Sequence, residues 1–220
     1  MTGRLIAIGD IHGCSRALLA LLDAIEPVAE DTIVTLGDYI DRGPDSRGVI
    51  ERLCQLAQET HLIPLMGNHE QMMLDVIEGA APYQSWFPHG GVATLDSYEF
   101  NGNLDFLPPA HRKFLDSLVD YYETETHFFL HANYDPDAPL NEQTVDMIRW
   151  RSLRDGIPDP HYSGRIAVVG HTANHEAKIL DLGHLIALDT FCYGGGVLSA
   201  IDVESGQIWQ ASEEGQPASW

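Results

Sequence analysis

LIAIGDIHG, residues Leu5 to Gly13, is an apolar run of strand character that breaks into a glycine-flanked loop carrying Asp10 and His12. The pattern returns twice. Ile33 to Leu36 leads into GDYIDRG, Gly37 to Gly43, and Leu62 to Met66 leads into GNHE, Gly67 to Glu70. Asp10 and Asp38 lie 28 residues apart and Asp38 and Asn68 lie 30 apart, and a strand, its crossover helix and the next strand take roughly 30 residues. The loops therefore fall at equivalent points of successive βαβ units. Parallel strands joined in this way expose the same end on one side, so the loops gather at the carboxyl edge, where open α/β sheets bind ligands.

The connections between the runs support this reading. Ala17, Leu18, Leu21, Leu22 and Ile25 form one apolar stripe at helical spacing behind Ser15, a candidate cap. Val49, Ile50, Leu53, Leu56 and Ala57 form a second stripe behind Asp45 or Ser46. From about Gly79 to His111 the pattern loosens, with prolines and glycines bracketing a short helical stretch near Val92 to Tyr98, as expected of an inserted cap. Tyr83, Trp86 and Phe87 read as packing within it. Beyond lie strand-like runs at Tyr121–Thr124, Thr126–Leu130 and Ala167–Val169, with a helix over Thr144–Trp150 between the last two. The remainder reads as a β meander over Ile179–Asp181, Leu185–Asp189, Val197–Val203 and Gln207–Trp209, with Ser205-Gly206 as its final turn.

Composition narrows the class. A chain of 220 residues with 44% hydrophobic content suits one well-buried α/β domain spanning 1–220. The formal net charge of −21 repels nucleic-acid backbones and anionic membranes. Neither is an expected partner, and an anionic substrate must be attracted locally, by cations and a few arginines. Cys14, Cys54 and Cys192 form no Cys-x-x-Cys pair, which points away from a disulfide framework or thiolate metal site and toward a reducing cytoplasm. No stretch approaches the ~20 apolar residues of a membrane helix. The oligomeric state stays open.

The chemistry lies in the loops. Asp10, His12, Asp38 and Asn68 offer carboxylate, imidazole and amide donors, a set suited to manganese, iron, zinc or magnesium. GDIHG, GDYIDRG and GNHE, followed in order by HAN at His131 and GHT at Gly170 to Thr172, resemble the signature of the phosphoprotein phosphatase branch of the calcineurin-like metallophosphoesterases, especially its small bacterial and phage-type members. The resemblance implies a four-layer αββα sandwich, helices outside two central sheets, with the meander supplying the second sheet. It further implies two divalent cations, manganese favoured, one held by Asp10, His12 and Asp38 and the other by Asp38, Asn68, His131 and His171. Such a pair would activate a bridging hydroxide for direct attack on phosphorus.

The same resemblance makes His69 the general acid, Asp41 its orienting partner and Arg42 a phosphate ligand. A further phosphate-binding arginine is expected shortly after a mid-chain tryptophan. Here Arg151 and Arg154 both follow Trp150 and Ser152 holds the usual position, which leaves the two as alternatives. Asn133, in HAN, replaces a smaller residue and reads as a local substrate or hydrogen-bonding feature. The implied activity is hydrolysis of phosphate monoesters, above all phosphoserine and phosphothreonine in proteins, with a phosphorylated protein or small phosphoester as partner. Two alternatives stand beside it: a dinucleoside tetraphosphate hydrolase built on nearly the same loops, and a non-catalytic scaffold that binds phosphorylated partners.

Overall fold

The structure, a computed structural model, describes residues 3–218. Leu5–Ile8 (β1) is buried throughout. Ile6 and Ile8 turn to one core, Leu5 and Ala7 to another, as the two-residue side-chain period of a strand requires. Both faces of β1 are therefore covered. Thr32–Thr35 (β2) and His61–Pro64 (β3) continue the sheet in parallel, and the crossovers are Ser15–Ile25 (α1) and Ser46–Glu59 (α2). The expected stripe of α1 is buried in full. At roughly 1.5–3 kcal/mol for each buried leucine or isoleucine, that face rather than intrinsic propensity holds the helix.

Local details differ from the sequence reading. Cys14, not Ser15, sits at the cap of α1 and makes no side-chain cap bond; the entry is held instead by Gly13 N donating to Tyr39 O and Cys14 N donating to Ile11 O. Asp45 caps α2 by accepting from Gly48 N at 2.9 Å, which leaves the Ser46 hydroxyl to accept from Asp41 N. Ala57 is exposed, unlike its neighbour Leu56.

The second sheet contains Tyr121–Glu123 (β4), His127–Leu130 (β5), Ile166–Val169 (β6), Leu180–Asp181 (β7) and Leu185–Ala187 (β8), in the order β4-β5-β6-β8-β7. The expected meander supplies only part of it, through β7 and β8. β8 runs parallel to β6, while Val197–Asp202 (β9) and Ile208–Ser212 (β10) return to the first sheet, where β9 pairs antiparallel with β1. The reason lies in β9, all six of whose residues are buried. Such a strand needs neighbours on both edges and cover on both faces, and a place between β1 and β10 provides them.

The architecture is the α/β sandwich expected. Leu5, Ala7, Val34, Leu36, Phe129, Val168, Ile186 and Leu188 fill the space between the sheets. Among the described residues, the outer face of the second sheet is covered by the short helix Val145–Trp150 (α6), Tyr134 and the turns around Leu140 and Leu153. Asn68–Ile77 (α3) and Pro109–Leu115 (α5) bracket the segment read as a cap, which contains the 3-10 turns Tyr83–Ser85 and Phe87–His89 and the helix Gly91–Ser97 (α4). Its Trp86, Leu95, Tyr98 and Leu107 share one core with α1 and α2. Among the described residues no helix is long and apolar enough to cross a membrane.

Candidate dimetal active site

Six parallel strands end at one place. Asp10 follows β1, Asp38 follows β2, Asn68 opens α3 after β3, His131 follows β5, His171 follows β6 and Asp189 follows β8. The two sheets thus bring donors from both halves of the chain to a shared carboxyl edge. Two of these residues and three of their loop neighbours have left-handed backbone: Asp38 and His171 have φ of 51° and 63°, and His12, Asp41 and Arg42 have φ of 45°, 73° and 70°. Each such non-glycine position costs on the order of 1–3 kcal/mol and persists where surrounding structure enforces it, commonly at functional sites.

Glycine makes room where the loops touch. A Cβ on Gly67 would lie 2.2 Å from Asp38 Oδ1, and one on Gly170 would lie 2.0 Å from Asp10 Oδ1. Side chains there would displace the carboxylates.

The histidine geometry fixes which nitrogen faces the cluster. His12 Nδ1 donates to Ile40 O at 2.9 Å, His131 Nδ1 to Leu36 O at 2.6 Å and His171 Nε2 to Trp150 O at 3.0 Å. Since a carbonyl only accepts, each ring turns its other nitrogen inward, where the neutral imidazole offers a lone pair. His131 Nε2 and His171 Nδ1 lie 3.1 and 3.0 Å from Asn68 Oδ1, and His131 Nε2 lies 3.3 Å from Asp38 Oδ1. His12 Nε2 approaches Asp38 Oδ2 at 3.5 Å.

Converging lone pairs repel unless a cation or proton sits among them, so this donor set fits divalent metals. Asp38, His131 and His171 can offer ligand atoms within 4.8 Å of one another, as can His12, Asp38 and His69. Asp10 is 3% exposed; its Oδ2 accepts from His171 N while its Oδ1 has no partner. An orphaned carboxylate oxygen at that depth also fits a cation site.

The electrostatics carry the same signature. Burial resists charge on Asp38, but His131, His69 and His12 outweigh it and hold its carboxyl well below the usual range. Burial likewise opposes a charged His131, yet Asp38 raises it to about 10. His171, buried and facing His131, falls to about 4. Burial and the nearby Asp189 push Asp10 upward. Carboxylates crowded out of water are costly, and positive charge offsets that cost.

His69 sits beside this cluster at the start of α3. Its Nδ1 donates to Asp41 Oδ2 at 2.7 Å, and its Nε2 is 3.8 Å from Asp38 Oδ2. Burial opposes protonation of His69, but Asp38 and Asp41 prevail and raise its pKa. Arg42 reaches over the opening: Nη1 donates to His12 Nε2 and to Tyr193 Oη, both at 2.9 Å, and Nη2 to His69 Nε2 at 3.0 Å.

Neither mid-chain arginine joins the cluster. Arg151 is exposed and faces Asp155 at 3.9 Å, while Arg154 donates to Ala173 O at the rim of a cavity of about 540 Å³ that reaches Thr172 and Asp189. Asn133 holds local backbone, accepting from Tyr134 N and donating to Gly156 O.

Four side chains escaped the sequence reading. Glu70, fully buried and pushed up to about 7 by burial and Asp38, accepts from the backbone N–H of Asp38, Tyr39, Ile40 and Gly67 and so ties two loops together. Asp189, raised to about 6 by burial, has an unpartnered Oδ2 near Asp10. An apolar run ending in aspartate, Leu185 to Asp189, was a signal available for it. Trp86 Nε1 and the Thr94 hydroxyl both donate to Asp41; nothing in their sequence spacing announces this.

Residues 3–204 match the Calcineurin-like phosphoesterase family. The chain belongs to that family, a class of metal-dependent hydrolases acting on phosphate esters. It is 40% identical over 207 residues to serine/threonine-protein phosphatase 1 of Salmonella typhimurium, covering 90% of both chains. It is also 28% identical over 176 residues to a symmetrical bis(5'-nucleosyl)-tetraphosphatase of Nitrosomonas europaea, spanning 73% of this chain and 60% of that one. A crystal structure of a putative diadenosine tetraphosphatase superposes with a TM-score of 0.73 at 25% identity, over 100% of this chain and 95% of the other.

Proposed function

We propose that the chain is a phosphomonoesterase acting on phosphoserine and phosphothreonine in proteins. The observation that carries this reading is the Asp41–His69 pair, bonded at 2.7 Å beside the donor cluster. An alkoxide is a poor leaving group, and a positioned acid helps most where the leaving group is poor. The 40% identity to a serine/threonine phosphatase over 90% of the chain supports the same substrate class.

In this reading Asp10, His12 and Asp38 hold one cation, and Asp38, Asn68, His131 and His171 hold the second, with manganese the favoured ion. When bound, such cations neutralise phosphate oxygens and lower the pKa of water. The chain's own groups do the rest. Arg42 turns its planar fork from His12 and His69 onto two phosphate oxygens. That move frees His69 Nε2 to carry a proton, with Asp41 holding the opposite nitrogen. His69 then delivers its proton to the departing serine or threonine oxygen. The N-terminus of α3, which bears Asn68 and His69, adds its partial positive charge toward the anion. Arg154, at the rim of the adjoining cavity, is better placed for a second phosphate contact than Arg151. The site is proposed to work in the cytoplasm on phosphorylated proteins or small phosphoesters, within one domain whose segment 79–111 caps the general-acid side.

A second reading, hydrolysis of dinucleoside tetraphosphates, is favoured by the tetraphosphatase likenesses in sequence and fold. Side-by-side turnover with manganese decides between them. The proposal expects kcat/KM on a phosphothreonine peptide to exceed that on diadenosine tetraphosphate. The reverse order overturns it.

A further inference from the structure

We propose that Trp86 and Thr94 are positioning residues that lock the Asp41 carboxylate, and through it the His69 ring, from the segment between α3 and α5. The inference rests on the reading of His69 as general acid. Asp41 is fully buried. Its Oδ2 accepts from His69 Nδ1 and from Trp86 Nε1, both at 2.7 Å, and its Oδ1 accepts from the Thr94 hydroxyl at 2.6 Å. Its backbone N–H donates to Thr94 Oγ1 at 2.9 Å and Ser46 Oγ at 3.0 Å. Three bonds to one carboxylate fix its plane as well as its position.

Trp86 is itself fully buried, so its indole N–H has nowhere else to go. Its seat is shaped for it: a Cβ on Gly91 would come within 2.5 Å of the indole carbons. The same segment also holds the next residue of the loop, since Gly90 O accepts from Arg42 N at 3.4 Å, and His89 stacks edge-on to His69 at 6.3 Å between ring centroids. One short stretch of chain, Trp86 to Thr94, therefore steadies both Asp41 and Arg42. A carboxylate freed from two of its three donors can rotate, and the imidazole it orients then loses its aim at the leaving oxygen.

The test compares Trp86→Phe, which keeps an aromatic ring and removes the N–H, with Thr94→Val and Thr94→Ser, which remove and retain the hydroxyl. Each is assayed on a phosphothreonine peptide and on p-nitrophenyl phosphate beside His69→Asn, with thermal unfolding as the check on folding. Hydrogen-bond partners that orient metal-ligating side chains typically affect activity by about 10–100-fold, and an effect of the same order is expected where the oriented group is the acid pair. That loss is expected in kcat on the peptide for Trp86→Phe and Thr94→Val, with KM nearly constant, less than about a threefold change on the aryl ester, and near-complete recovery in Thr94→Ser. Equal losses on both substrates, or Thr94→Val behaving as Thr94→Ser, would overturn the inference while His69→Asn keeps its substrate dependence. If His69→Asn shows no such dependence either, the general-acid reading fails and this inference falls with it.

Discussion

Replacing Asp38 with asparagine is expected to lower kcat on every phosphomonoester by on the order of 10³–10⁴-fold and to reduce bound metal from two ions per chain to one or fewer. The size follows from the place of Asp38 in the cluster. Its carboxylate is the one group common to both sets of converging donors, with His131 on one oxygen and His12 on the other. The asparagine keeps an oxygen to accept from His69 N, a bond of 3.1 Å in the parent, so the loop retains its backbone ties. What disappears is the negative charge that balances three histidines. Loss of several kcal/mol of charge stabilisation corresponds to three or four powers of ten in rate. Metal analysis of the dialysed variant beside steady-state kinetics checks both parts. Two retained ions and an unchanged rate would show that Asp38 does not bridge the centre.

His69→Asn should divide substrates by leaving group. Loss of a positioned acid typically costs about 10²–10⁴-fold where protonation of the departing oxygen matters. That range is expected on phosphothreonine and phosphoserine peptides, with less than about a tenfold loss on p-nitrophenyl phosphate, whose phenolate departs without help. The geometry makes the variant informative. Asparagine can still open α3 and keep the backbone N–H that donates to Asp38 Oδ1, while the lost Nδ1 is the one bonded to Asp41. Parallel losses on alkyl and aryl esters would instead make His69 part of the cation cage, as its place in the His12–Asp38 group allows.

Much of this site was legible because one local pattern recurs. An apolar run, a glycine and a candidate ligand define the exits of β1, β2 and β3, and HAN and GHT mark the exits of β5 and β6. Parallel strands expose loops at their carboxyl ends, which gathers the first three loops by pattern; that His131 and His171 reach them came from the family resemblance, and His171 N does donate to Asp10 Oδ2 across 161 positions of chain.

The remainder depended on which elements pack together. Leu185–Asp189 and Val197–Val203 look alike in sequence, but β8 extends the second sheet in parallel while β9 returns to β1. Alternation cannot state which edge a strand will join. Asp189 was hidden for the same reason, since read within a meander it ends nothing. Trp86 read correctly as packing, and its aromatic neighbours gave no sign that the indole N–H lies against Asp41. Glu70 stood inside a recognised motif, but its four backbone donors come from two loops some thirty residues apart, and only the fold assembles them.

The central claim is that six residues from both halves of the chain hold two cations about a shared Asp38. Anomalous scattering from crystals of the manganese-loaded protein tests it directly. Two peaks are expected on either side of the Asp38 carboxylate, roughly 3.5–4 Å apart as in two-metal sites, one beside Asp10 and His12 and the other beside Asn68, His131 and His171. A single peak, or a pair that leaves Asp38 or the second-half histidines uncoordinated, would contradict the account.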